Sequence, residues 1–116
     1  MSYFKKAEFA CKDGCGLNNI NESFIAKLEN ARRYAGVAFY INSGCRCEKH
    51  NADSGGKEDS AHLKGLAADI RTDSSYFRFK ILEALLETGF TRIGVGKNFI
   101  HVDVDETKPQ EVAWMY

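Results

Sequence analysis

Apolar residues recur at helical spacing after Asn21: Phe24, Ile25, Leu28, Ala31 and Ala35 share one face, and Gly36 follows them. The Asn21 side chain can accept from an unpaired first-turn amide, so the pattern predicts a helix capped at Asn21 and stopped at Gly36. A second helical period runs through Phe77, Ile81, Leu82, Leu85 and Leu86, with Asp73 the expected cap and Gly89 the stop. Elsewhere the period changes. Val37-Ala-Phe-Tyr-Ile41 and Leu66-Ala-Ala-Asp-Ile70 read as buried strands, and residues 91–95 and 99–104 read as a hairpin across Gly96-Lys97-Asn98. From Asn42 to Lys64 the chain is rich in Gly, Ser, Asn, Asp and Lys, a long loop of the kind that carries function. The order predicts an α+β domain: two main helices packed against one small antiparallel sheet.

Composition narrows the class without choosing a chemistry. At 116 residues the chain is one domain, with about two thirds of its unfolded surface to bury. Apolar residues at 44% and charged ones at 28% are ordinary for a globular protein. The net charge is zero and no Lys/Arg stripe is visible, so no nucleic acid partner is expected. No apolar run approaches the roughly 20 residues of a membrane span. The first residues, Met1-Ser-Tyr-Phe-Lys-Lys, lack the apolar segment of a signal peptide, so the chain is expected to be cytoplasmic as synthesised. A monomer is expected.

Four cysteines form two close pairs, Cys11/Cys15 and Cys45/Cys47. Neither C-x3-C nor C-x-C is the usual C-x2-C knuckle of a structural zinc. A disulfide between the pairs is sterically possible, but buried thiols without a cross-link are the expectation for a chain lacking an export signal.

Two stretches carry the chemistry: Ser60-Ala-His62-Leu-Lys-Gly65-Leu-Ala-Ala-Asp69 and Phe99-Ile-His101-Val-Asp103. His62, Asp69 and His101 are ligands that zinc accepts, and three protein ligands leave a fourth tetrahedral position open, as in catalytic sites. Asp69 lies inside an apolar strand, where a carboxylate is costly unless a cation compensates it. Alternation places His101 and Asp103 on one face. Pairing of the Leu66 strand with the Phe99 strand would bring all three ligands together. Taken singly, each has an ordinary reading: a structural histidine, or a hydrogen-bonded aspartate.

The order S-x-H-x6-D followed by a late strand histidine resembles the zinc D-Ala-D-Ala carboxypeptidase family. These are peptidoglycan peptidases grouped with lysostaphin and the hedgehog signalling domain. Ser43-Gly44-Cys45-Arg46 is similar to the S-G-x-R element of that family, and His50-Asn51 with Gly55-Gly56 to the loop that follows it. The resemblance covers nearly the whole chain. It implies one Zn2+ per chain held by His62, Asp69 and His101, and a zinc peptidase acting on stem or cross-bridge peptides of peptidoglycan. The small size fits a phage endolysin or a cell-wall remodelling enzyme that reaches the wall after release or carriage.

Within that frame Arg46 binds a substrate carboxylate or stabilises the oxyanion, and Ser60 either hydrogen-bonds substrate or caps a turn. Many relatives place a general base shortly before the last zinc histidine, but residues 94–99 here contain no acid or imidazole. Asp103, roughly 6–7 Å along the strand from His101, is the nearest candidate. It acts either as the base or as an acceptor that orients a ligand ring. Asp105 lies farther along, and Glu58 and Asp59 are more remote alternatives. Trp114 and Tyr116 either wall a peptide groove or pack ordinarily. The missing upstream base also fits a rival function, a zinc-containing binding module with weak or no catalysis. A purely structural part, docking on the wall, is a third.

Overall fold

The spine of the computed structural model, which describes residues 4–12 and 14–116, is a single five-stranded sheet. Its strands are β1 (Ile41–Ser43), β2 (Ala67–Arg71), β3 (Arg92–Val95), β4 (Phe99–Asp103) and β5 (Val112–Met115), in the order β1-β2-β4-β3-β5. The first four pair antiparallel, while β5 runs parallel to β3, so the sheet is mixed. The α+β class stands.

Helix α1 (Glu22–Ala35) begins and ends where its pattern predicts. Asn21 Oδ1 accepts the Phe24 amide at 2.9 Å, and Gly36 closes the helix at φ 69°. Helix α3 (Ser75–Glu87) is capped by Ser74, whose hydroxyl accepts the Phe77 amide at 3.2 Å. Asp73, the expected cap, instead pairs with Arg71 at 3.0 Å. Ile81, Ala84 and Leu85 form the buried stripe, and Leu86, one helical step off it, is 58% exposed. These residues join Phe24, Leu28, Ala31, Ala68, Ile70, Ile93, Ile100 and Val102 in one core. Both main helices therefore cover the face of the sheet that carries Ala68, Ile70, Ile100 and Val102. The other face is left for polar residues.

Three further differences follow from packing. The Val37–Ile41 stretch is apolar because Phe39 fills the core beside Phe4, and the strand itself starts at Ile41. The loop after it contains helix α2 (Glu48–Asp53) and a 3-10 turn, Ala61–Lys64. Strand β5 is short, only half-buried along its inward positions, and preceded by a charged stretch, so its sequence carries no clear alternation.

One buried ion pair ties the 3-10 turn to the end of β4. Asp105, 1% exposed, accepts from Lys64 Nζ at 2.9 Å and from the Thr107 hydroxyl at 2.6 Å. Burial alone would push its carboxyl up, but the Thr107 and Lys64 hydrogen bonds hold it well below the usual carboxylate range. A depressed carboxyl stabilises the fold above its unfolded pKa of about 4, and that contribution fades as pH falls below it. Asp105→Asn is expected to cost on the order of 2–3 kcal/mol near pH 7, and about 1 kcal/mol less near pH 3. Urea unfolding of both chains at the two pH values measures this difference.

Candidate metal centre

Strand register assembles the site. Asp69 on β2 stands opposite His101 on β4 and, across the other edge, opposite Ser43 on β1. Ala67 stands opposite Asp103. Asp69, His101 and Asp103 thus share the face away from the helices, as the alternation predicts. His62 reaches the same place from the 3-10 turn. Asp69 Oδ1 lies 2.9 Å from His101 Nδ1 and 3.3 Å from His62 Nε2. One ligand atom from each of the three residues falls within 4.8 Å of the others.

The second nitrogen of each ring is spoken for. His62 Nδ1 is 2.7 Å from the Gly44 carbonyl, which can only accept, so Nδ1 carries a proton and Nε2 is the nitrogen left facing Asp69. His101 Nε2 is 2.7 Å from Asp103 Oδ2, which leaves Nδ1 toward Asp69. This is how metal-binding imidazoles are fixed in tautomer and orientation. Asp103 is held in turn: its Oδ1 accepts from Arg92 Nε at 2.7 Å and from the Asp105 amide at 3.1 Å.

Electrostatics agree. Burial would raise the Asp69 carboxyl, but hydrogen bonds from His101 and His62 hold it far below the usual carboxylate range. Burial would lower His101, yet its hydrogen bonds to Asp103 and Asp69 raise it. Two carboxylates around two imidazoles make a cradle that favours a positive charge, supplied by a proton or a metal cation.

Around this cluster opens a cleft of about 850 Å³, lined among others by Arg46, Lys57, Lys108, Trp114 and Tyr116. Arg46 is strapped over Asp69. Its Nη2 lies 3.3 Å from Asp69 Oδ2, its Nε 3.1 Å from Ser43 Oγ and its Nη1 3.4 Å from Asn51 Oδ1. Each terminal nitrogen keeps a second N–H for another partner. Trp114 and Tyr116 stack toward His101, with ring centroids at 5.5 and 6.3 Å. Gly94 makes room for them, because a Cβ there would sit 2.5 Å from Trp114 Nε1.

Ser60 caps the 3-10 turn, accepting the His62 amide at 3.2 Å, and also lines the cleft. Asp59 lines the cleft and is exposed; Glu58 is exposed and does not line it. Asp105 is occupied by Lys64 and Thr107.

Three contributors escape sequence reading: Arg92, the Gly44 carbonyl and Asn51. A backbone carbonyl leaves no trace in a sequence. Asn51 is 3% exposed, and its amide donates to the Lys57 carbonyl at 2.7 Å while its oxygen meets Arg46. A signal for Arg92 was available. An arginine inside Thr91-Arg-Ile-Gly-Val95 is costly to bury, and here it is 8% exposed.

Zinc fits this donor set. Bonds of about 2.0–2.1 Å to nitrogen and oxygen set tetrahedral ligands roughly 3.3 Å apart, close to the 2.9 and 3.3 Å separations seen. Fold and site define a small α+β protein with a three-ligand metal cradle opening on a cleft. A family model described as Peptidase M15 matches residues 2–103, and the chain belongs to this family of zinc D-Ala-D-Ala carboxypeptidase-type enzymes. That makes zinc metallopeptidase the activity of its class. No curated protein matches the chain. No helix among the described residues is long and apolar enough to cross a membrane.

Removing Arg92 would leave Asp103 buried with an unbalanced charge. Arg92→Leu is therefore expected to destabilise the fold by about 3–5 kcal/mol, measured by denaturant unfolding. A loss below about 1 kcal/mol would mean that Asp103 finds another partner.

Proposed function

We propose that this protein is a zinc peptidase that hydrolyses peptide bonds in the stem or cross-bridge peptides of bacterial peptidoglycan. The observation that carries this reading is the convergence of three lone-pair donors, each backed by a second contact, at a cleft of peptide dimensions. Family membership supports it. His62, Asp69 and His101 would hold the metal. When bound, zinc supplies Lewis-acid polarisation of a peptide carbonyl and acidifies a water.

The side chains of the chain itself divide the remaining work. Arg46, with an N–H to spare on each terminal nitrogen, receives negative charge, either a substrate carboxylate or the oxygen of the carbonyl under attack. Lys57 and Lys108 add positive charge at the cleft, which suits the carboxylate-rich stem peptides of the wall. Trp114 and Tyr116 offer an apolar wall against which a peptide lies. Asp103 is a positioning residue in this scheme: both its oxygens are engaged, one by His101 and the other by Arg92 and the Asp105 amide. The remaining carboxylate that lines the cleft among the described residues is Asp59, which becomes the candidate proton carrier.

The engaged state of Asp103 also favours a second reading, a zinc-containing binding module that recognises wall peptides and cuts them weakly or not at all. Digestion of purified peptidoglycan fragments separates the two, read by mass spectrometry with and without a chelator. A single chelator-sensitive cleavage is the expected result, and it names the bond. His62→Ala and Asp69→Ala are expected to abolish zinc retention at the cradle, measured by elemental analysis as the loss of one zinc per chain, and to abolish cleavage. Zinc held by the cradle, lost in His62→Ala, with every fragment intact would move the assignment to the binding module.

Asp103→Asn is expected to weaken zinc affinity by about 10–100-fold, as loss of a partner that orients a metal ligand does. Competition against a chromophoric chelator measures it. Unchanged affinity with a collapsed kcat would instead make Asp103 the proton carrier, and Asp59→Asn would then leave turnover intact.

A further inference from the structure

The four cysteines divide in the structure into one and three. Cys45 is fully buried, its thiol 3.6 Å from Asn18 Oδ1, and lies in the main core. The sulfurs of Cys11, Cys15 and Cys47 gather within 4.8 Å of one another, from segments far apart in the chain. None of the three is in a disulfide.

Two backbone amides point at these sulfurs. The Cys47 amide donates to Cys11 Sγ at 3.4 Å, and the His50 amide donates to Cys47 Sγ at 3.4 Å. The segment carrying Cys11 and Cys15 is bent back on itself. Gly14 and Gly16 flank Cys15 at φ 82° and 83°, a left-handed conformation open to glycine, and the Cys11 amide closes the bend on the Leu17 carbonyl at 2.9 Å.

We propose that Cys11, Cys15 and Cys47 form a second metal site, distinct from the His62/Asp69/His101 cradle, which holds a zinc ion. Thiolates are the ligands that a borderline-soft divalent cation prefers. Zn–S bonds of about 2.3 Å set tetrahedral sulfurs roughly 3.8 Å apart, so closing the observed triangle takes shifts of less than about 1 Å per sulfur. Binding releases the thiol protons to solvent, and the fourth position falls to water beside the exposed Cys15. In sequence, C-x3-C argued against a zinc knuckle because it is not C-x2-C; the fold adds Cys47 as a third sulfur.

The location gives the ion a purpose. The Cys45 amide already binds the Phe9 carbonyl at 2.8 Å, and Cys47 directly follows Arg46. An ion bridging Cys11, Cys15 and Cys47 therefore clamps the N-terminal segment to the turn that carries the Gly44 carbonyl and Arg46. Both of those touch the catalytic cradle.

The test is metal content of the full chain, purified under reducing conditions, zinc-loaded and desalted. Two zinc ions per chain are expected, falling to one in Cys15→Ser/Cys47→Ser and to one in His62→Ala/Asp69→Ala. Cobalt(II) loading of the His62→Ala/Asp69→Ala chain is expected to give intense thiolate-to-cobalt absorption in the near ultraviolet, which is absent when Cys15→Ser is added. Cys15 is exposed, so that single change keeps the fold. One zinc per wild-type chain, an absence of thiolate-to-cobalt absorption, or an intact mass lower by two hydrogens from a disulfide would each overturn the proposal. None of these readouts depends on peptide cleavage, so failure here and failure of the peptidase reading are separate events.

Discussion

The pairing of β2 with β4 is the constraint on which the rest depends. Its register sets Asp69 opposite His101, and a slip by one residue would turn His101 into the helix-packed core and bring Ile100 or Val102 to the site face. Burial enforces that register. Ala68, Ile70, Ile100 and Val102 are each fully buried on the helical side, so the hydrophobic effect that folds the domain also aligns the ligands. The polar face is then stitched by a chain of contacts from the Gly44 carbonyl through His62, Asp69, His101 and Asp103 to Arg92. Each link is charged or charge-assisted and mostly shielded from water, where such bonds are strong and an orphaned partner is costly.

A cradle held this way is preorganised. The two imidazoles have their tautomers set by acceptors on the far side of each ring, so a metal arriving at the near side reorganises little. The same wiring engages both oxygens of Asp103 beside His101. A carboxylate that accepts from a histidine, an arginine and a backbone amide has about one of its four acceptor sites left. Burial would raise its carboxyl, but the hydrogen bonds from His101 and the Asp105 amide, with the Arg92 charge, hold it below the usual carboxylate range.

Much of this was legible in the sequence, for identifiable reasons. The ligand triad stood out because Asp69 broke an otherwise apolar strand and His101 shared a face with Asp103, both consequences of simple alternation. The first helix was legible because Asn21 and Gly36 are strong punctuation. Where propensity and packing separated, the reading slipped. Asp73 looks like a cap but its charge goes to Arg71, leaving Ser74 to do that work; Leu86 looks like core but falls off the stripe. Strand β5 escaped because its partner, β3, supplies the order that its own four residues do not specify. The Arg46 environment was legible only in part, since Asn51 acquires meaning once the loop folds it beneath the guanidinium.

The long loop after β1 is where a domain this small faces its hardest problem. Residues 44–64 carry Arg46 and His62, yet beyond the short α2 and the 3-10 turn they have no regular structure to hold them. The structure answers with point attachments rather than a ladder. Arg46 donates its amide to the His62 carbonyl at 3.1 Å, Asn51 ties Lys57 back to the loop, and Lys64 is anchored in Asp105. Lys108 reaches from beyond β4 to the Asp59 carbonyl at 2.6 Å. Each attachment removes loop entropy that would otherwise blur the position of Arg46 and His62 by far more than a metal site tolerates. The N-terminal side of the loop, at Cys45 and Cys47, is fastened to Phe9 and Cys11 by backbone contacts, and this is where a metal clamp would add most. Precision at the cradle is thus distributed over the loop's attachments, and none of His62, Asp69 and His101 supplies it alone.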